Sequence, residues 1–141
     1  MRRKTKEEYI EIICLLEKQE GRAQTGMIAE AIDVKPPSVT EMLRKLEEKG
    51  LIVYEPYAGA TLTPAGLEMA RDLRRRHRTF ADLLGILGVD GDTAEADACQ
   101  FEHHVSPETL ECLRLFLSYL RKSPEGQRCL KGFEEFRREQ G

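Results

Sequence analysis

No stretch of this chain approaches the roughly 20 consecutive apolar residues of a membrane span. Its basic start, Met1-Arg2-Arg3-Lys4, runs into Glu7 and Glu8 without the apolar segment of a signal peptide. Both absences read as a cytoplasmic protein that does not engage a membrane. Cysteine is sparse and unpatterned: Cys14, Cys99, Cys112 and Cys129 form no C-x-x-C pair and no regular framework. That excludes a disulfide scaffold and leaves reduced thiols, of which Cys14, Cys112 and Cys129 read as core fillers. An excess of basic charge is missing as well, since the net charge is −3, and taken as an average this argues against nucleic acid. The average hides an asymmetry. Residues 1–76 hold one more base than acid and residues 77–141 four more acids than bases, which assigns basic work to the first half and cation binding to the second. No glycine-rich turn or oxyanion-hole loop accompanies the thiols and imidazoles, so a hydrolase with Cys99 as nucleophile and His103 or His77 as base lacks its machinery. The chain is not read as an enzyme, and no small organic substrate is expected.

What is present is ordinary for a helix-rich domain or two small ones: 141 residues, 40% hydrophobic and 33% charged. Tyr9, Ile12, Ile13 and Leu16 follow the helical period, and Thr5 with Glu8 three positions on is a capping box opening a first helix that ends at Gly21. Glu8 and Glu11 lie one turn apart on it, a spacing that a cap and a solvated face also explain. A short second helix begins at Thr25. Asp33-Val34-Lys35-Pro36-Pro37 forces a turn, and a third helix from Pro37 or Ser38 buries Val39, Met42, Leu43 and Leu46 and stops at Lys49-Gly50. Two short helices about a tight turn form the helix-turn-helix pattern. Leu51–Tyr54 and Ala60–Thr63 then read as a small hairpin about the turn Glu55–Gly59. That order is a winged helix, in which the third helix enters the major groove of double-stranded DNA while hairpin and helix N-termini touch phosphates. The candidate DNA contacts are Lys35, Pro37, Ser38, Thr40, Arg44 and Lys45, with Tyr57 at the hairpin tip.

Thr63-Pro64 opens a long helix whose residues Ala70, Leu73, His77, Phe80, Leu84 and Leu87 form an apolar seam of coiled-coil spacing with one imidazole in it. A histidine in a seam is ordinarily a satisfied core residue. Asp92 or Thr93 caps the next helix, which carries Cys99, Glu102 and His103. A thiol, a carboxylate and an imidazole at i, i+3 and i+4 share one helical face, which makes half a metal site. Ser106-Pro107 opens a further helix with Leu110, Leu113, Phe116, Leu117 and Leu120 on one side, Ser123-Pro124 stops it, and a last helix with Leu130, Phe133 and Phe136 precedes a charged tail. This half holds more apolar surface than about 70 residues hide in a monomer, so a homodimer is expected.

Several of these motifs, in order, resemble the diphtheria-toxin-repressor family of metal-dependent transcription regulators, in its short branch. Thr5-Lys-Glu-Glu-Tyr-Ile-Glu11 resembles the family's first-helix motif. Ile28-Ala-Glu-Ala-Ile32 with Pro37-Ser-Val-Thr40 resembles its helix-turn-helix, Leu62-Thr-Pro-Ala-Gly66 its wing exit, and Arg76-His-Arg78 with Cys99-x-x-Glu102-His103 its metal motifs. The resemblance implies a mostly α fold: a winged helix-turn-helix over residues 1–70 and a helical metal-binding and dimerisation domain over 71–141. It implies metal ligands Glu8, Glu11, His77, Cys99, Glu102 and His103, and a repressor that binds operator DNA as a metal-loaded homodimer and controls metal homeostasis. In the manganese branch the position of Cys99 is a glutamate, and in the iron branch a cysteine; in the iron branch the position of Glu8 is a methionine. This chain mixes the two, so Mn²⁺ or Fe²⁺ is the expected cofactor, with Co²⁺ or Zn²⁺ able to substitute in vitro. The iron branch's carboxylate four residues after the histidine is Ala81 here, so that branch's second site does not carry over. The competing expectation is a winged-helix regulator of a small organic ligand with a structural zinc.

Overall fold

The computed structural model describes residues 4–141, so the basic start at residues 1–3 lies outside it. The chain divides into two compact units, Met1–Arg74 and Arg75–Gly141.

In the first unit, α1 (Lys6–Glu20) opens with the Glu8 N–H donating to the Thr5 hydroxyl at 3.2 Å and closes at Gly21, whose φ of +84° suits a residue without a side chain. α2 (Thr25–Ala31) and α3 (Pro36–Glu48) follow about a turn in which Val34 N–H donates to the Ala29 carbonyl. The prolines do not hold that turn as the sequence reading expects. Lys35 is the cap and Pro36 and Pro37 are the first two helical residues, because a first turn has no intrahelical use for the N–H that proline lacks. The hairpin pairs β1 (Ile52–Glu55) with β2 (Gly59–Leu62), Ile52 opposite Leu62. Each strand is offset by one residue from expectation, because its outer residue is claimed elsewhere. Leu51 N–H donates to the Leu46 carbonyl to finish α3, and the Thr63 hydroxyl accepts from Gly66 N–H to start α4. Two acidic side chains hold the hairpin in place: Glu17 accepts from Leu62 N–H at 3.0 Å and Glu47 from Tyr54 N–H at 2.8 Å. Tyr9, Ile10, Ile13, Ile28, Val39, Leu43, Leu46 and Ile52 form a continuous core with Ala70 and Leu73.

The helix α4 (Pro64–Leu87) runs through the division between the units, and its apolar seam divides with it. Ala70 and Leu73 join the first core, while Phe80 packs with Ala98 and Leu110 in the second unit and Leu87 is exposed. α5 (Gly91–Phe101) is capped by Asp90, whose carboxylate accepts from Asp92 N–H, rather than by Asp92 or Thr93. It ends at Phe101, so Glu102 is its C-cap and His103 lies in the turn beyond, not on the helix proper. α6 (Pro107–Lys122) begins with the cap and proline Ser106-Pro107 that its sequence indicates, and α7 (Pro124–Gln140) begins the same way at Ser123-Pro124, which not only stops α6 but also caps the helix after it. α7 continues through the charged tail. Leu110, Leu117 and Leu120 are buried, but Phe116 is not on their side: it is exposed together with Leu115 and Tyr119. Of the cysteines expected in the core only Cys14 is there. Cys112 and Cys129 are exposed, because their helical rows face away from the unit's own small core.

Candidate metal centre and DNA-reading surface

The α3 helix turns Val39, Leu43 and Leu46 inward, all fully buried. Spaced by four, three and four residues, Pro37, Glu41, Arg44 and Glu48 form the opposite row, all exposed. Of the sequence-derived DNA contacts, Lys35, Pro37, Ser38 and Arg44 stand exposed on this helix and Tyr57 is fully exposed at the hairpin turn with a φ of +69°. Thr40 and Lys45 are less free. The Thr40 hydroxyl donates to the Pro36 carbonyl at 3.2 Å, and Lys45 pairs with Glu41 at 3.5 Å. Two cations that sequence reasoning did not single out belong with Lys45. A side-chain hydrogen bond with Lys49, together with the like charges of Lys49 and Lys45, holds the Lys6 ammonium below the usual lysine range. Their lysine identities were visible in the sequence; that α1 brings Lys6 to the end of α3 was not.

In the second unit the polar centre is built on Glu102. Its side chain is fully buried, and burying a carboxylate is costly unless partners surround it. Its two oxygens face two imidazoles: Oε2 lies 3.0 Å from Nδ1 of His77 on α4, and Oε1 lies 3.3 Å from Nε2 of His103. Cys99, one turn before Glu102 on α5, brings its Sγ within 3.6 Å of the same His77 Nδ1. The Arg76 guanidinium donates to the Glu102 carbonyl at 3.4 Å and fixes the turn that bears His103. In the same unit, Phe80 and Phe101 meet edge to face with ring centroids 5.6 Å apart. His77 is half-buried, and a carboxylate and a thiol converge on its Nδ1.

Glu95 completes this arrangement and was missed. Its Oε2 lies 2.5 Å from His77 Nε2, so each ring nitrogen of His77 faces a carboxylate. A signal was available, since Glu95, Cys99 and Glu102 recur at i, i+4 and i+7 on one helical face, but a carboxylate that is two-thirds exposed reads in sequence as solvated. As a donor set, two imidazoles, a buried carboxylate and a thiol fit a divalent transition metal, with Glu95 as the outer partner of His77. The mixture of nitrogen, oxygen and sulfur spans the range from Mn²⁺ to the softer Fe²⁺, Co²⁺ and Zn²⁺. Glu8 and Glu11 lie on α1 in the first unit. The Glu8 carboxylate is 3.8 Å from the Lys4 ammonium and mostly buried, and Glu11 is half-buried.

Comparison with known proteins addresses both surfaces. Residues 1–60 match the iron dependent repressor N-terminal DNA binding domain, and residues 63–131 match the iron dependent repressor metal binding and dimerisation domain. The chain is 41% identical over 113 residues to an uncharacterized HTH-type transcriptional regulator of Methanocaldococcus jannaschii, covering 79% of this chain and 90% of that protein. It is 37% identical over 119 residues to the HTH-type transcriptional regulator MntR of Lysinibacillus sphaericus, covering 84% and 86%. Among solved structures, the manganese regulator SloR matches with a TM-score of 0.70 and 34% identity over 84% of this chain. The match covers 55% of SloR, so this chain spans about half of that protein's length. ScaR with bound Zn²⁺ matches with a TM-score of 0.69 and 35% identity, covering 82% of this chain and 55% of ScaR.

Proposed function

This chain belongs to the iron-dependent repressor family, and from that premise we propose that Glu8 and Glu11 act with His77, Cys99, Glu102 and His103 as the ligand set of its regulatory metal. As a member of the family the chain is a metal-dependent transcription repressor and not an enzyme. It binds double-stranded operator DNA as a homodimer, depends on a divalent metal and serves metal homeostasis. No helix among the described residues is long and apolar enough to cross a membrane; the cytoplasmic site of action follows instead from the operator DNA that a repressor of this family binds. The observation that carries the ligand assignment is the convergence of His77 and His103 on the buried Glu102, with the Cys99 thiol reaching the same His77 Nδ1 that faces it.

The chain's residues divide the work. Glu102, held by its burial, sets the position of the centre, and His77 and His103 approach it from α4 and from the turn after α5. Glu95 accepts a hydrogen bond from His77 Nε2–H and so presents the Nδ1 lone pair on the side of Cys99 and Glu102, as outer partners of ligating histidines do. Bound there, a divalent cation supplies the positive charge that the thiolate and carboxylates require of a partner. With ligands on α1 as well as in the helical unit, loading ties the DNA-reading unit to the dimerising one. That lowers the ordering cost of placing two recognition helices on two half-sites. The exposed row Leu115, Phe116 and Tyr119 on α6 supplies the dimer face, since so much clustered apolar surface marks an association site.

The test is titration of operator binding with Mn²⁺, Fe²⁺, Co²⁺ and Zn²⁺ under reducing, anaerobic conditions. Operator affinity should rise by about 5- to 150-fold on loading, the usual range of allosteric coupling. Glu11→Gln should remove that rise while leaving the metal-free fold and weak DNA binding intact. Equal affinity with and without metal, or a full response in Glu11→Gln, would overturn the assignment. Phe116→Glu should sediment as a monomer at micromolar concentration; a dimer would place the interface elsewhere.

A further inference from the structure

The outward row of the recognition helix has an acidic residue near its centre. Glu41 lies in the second turn of α3, between Pro37 and Arg44 and directly opposite the buried row, with its side chain 64% exposed. Recognition helices reach base edges through their N-terminal turns, so Glu41 points where DNA must sit. A carboxylate in a groove walled by phosphates is repelled by them, and this is unfavourable unless a donor waits on the groove floor. Its pairing with Lys45 four residues on, at 3.5 Å, is the weak kind of helix-surface pair and engages one oxygen. The other oxygen remains available as an acceptor.

The chemistry of the base edges narrows what that acceptor takes. An ionised carboxylate can accept hydrogen bonds but not donate them. In the major groove guanine shows the acceptors N7 and O6, and thymine an acceptor and a methyl group. Adenine shows a donor beside the acceptor N7, and cytosine the N4 amino donor with no acceptor beside it. Cytosine alone offers a donor with no acceptor on its own edge, and the acceptors of its paired guanine on the other side call for a cation beside the carboxylate. We propose that Glu41 reads a cytosine in each operator half-site, and that Lys45, held beside it, takes the O6 and N7 of guanine in that same or the adjoining pair. Lys45 then serves base recognition as one half of a Glu–Lys unit rather than acting as a plain phosphate contact. This inference rests on the operator-binding reading above.

The experiment is selection from a pool of random duplexes by the full-length, Mn²⁺-loaded protein, run in parallel for wild type, E41Q and E41A. Wild type should show one position per half-site where cytosine is preferred by about 5- to 150-fold over other bases, the range of a good base contact. E41Q should move that preference to adenine, because a carboxamide both donates and accepts and matches N6 with N7. E41A should flatten it while the other positions keep theirs, and should bind unrelated duplex more tightly because the repulsion from phosphates is gone. Glu41 is exposed, so thermal unfolding of both variants should match wild type. The same base preferences in all three proteins would overturn the proposal, as would a wild-type preference for thymine or guanine wherever E41Q and E41A differ from it. Recovery of no common sequence by wild type would overturn the operator-binding reading itself, and this inference with it.

Discussion

Each unit carries a cluster of charge, and the two are opposites in sign and setting. In the first unit Lys6, Lys45 and Lys49 set like charges together at the surface, where water and salt screen them. In the second, Glu102 is fully buried between His77 and His103, with Cys99 and Glu95 against His77, and there screening is weak and every partner counts. The contrast teaches how one chain meets two ligands. A polyanion is met by many solvated cations, each of small effect. A single cation must be met by a few ligands held within tenths of an ångström, and that requires burial and outer partners. On this view each cluster is an electrostatic liability in the free protein that its ligand relieves.

The largest effect belongs to the buried cluster. Glu102→Gln keeps the shape and a hydrogen-bonding group but removes the charge, so Mn²⁺ affinity, measured by calorimetry, should fall by at least about 100-fold. The metal-free protein should unfold at the same or a higher temperature, since a buried carboxylate is replaced by a neutral group. If the metal-free protein unfolds instead, Glu102 is a structural anchor and the comparison breaks. Glu95→Gln should lower metal affinity by about 10- to 100-fold, the usual effect of losing an outer partner. It should also change the ¹⁵N shifts of the His77 ring from those of one tautomer to those of a mixture. Unchanged shifts with unchanged affinity would reduce Glu95 to a surface carboxylate.

Much of this was legible because it is local. The caps at Thr5 and Ser106 are side chains bonding to backbone three residues on, and the row Val39, Leu43 and Leu46 is a helical period. Boundaries set by competition were not. Asp90 and Asp92 both offer a cap and the earlier one wins, while Leu51 and Thr63 are drawn out of their strands by the helices on either side. Residue type told nothing of destination for Cys112 and Phe116, because an apolar helical row that stays exposed has the same pattern as one that faces the core. At the metal centre, spacing alone brought out Cys99, Glu102 and His103, whereas the roles of Glu8 and Glu11 came through the family resemblance. Glu95 shows its meaning only through His77, 18 positions earlier in the chain.

The smallest expected effect lies in the exposed cluster, and it tests the comparison from the other side. Lys6 titrates below an ordinary lysine because of its hydrogen bond with Lys49 and the charges of Lys49 and Lys45. Between that lowered folded-state pKa and the unfolded value near 10.5, the unfolded chain binds more protons, so stability rises with pH through this window. Below it Lys6 is charged in both states and the repulsion in the folded protein is present in full. Lys6→Gln removes that repulsion. At neutral pH and low salt the variant should resist urea slightly better than wild type, and the difference should vanish as salt is added. If the Lys6 and Lys49 ammonium groups face a phosphate, operator binding should weaken in the same variant and the slope of log K against log salt should fall by about one. Greater stability with an unchanged slope would mean that the lysines repel one another without facing DNA. Both changes together would show a charge cluster kept, at some loss of stability, for the anion that it meets.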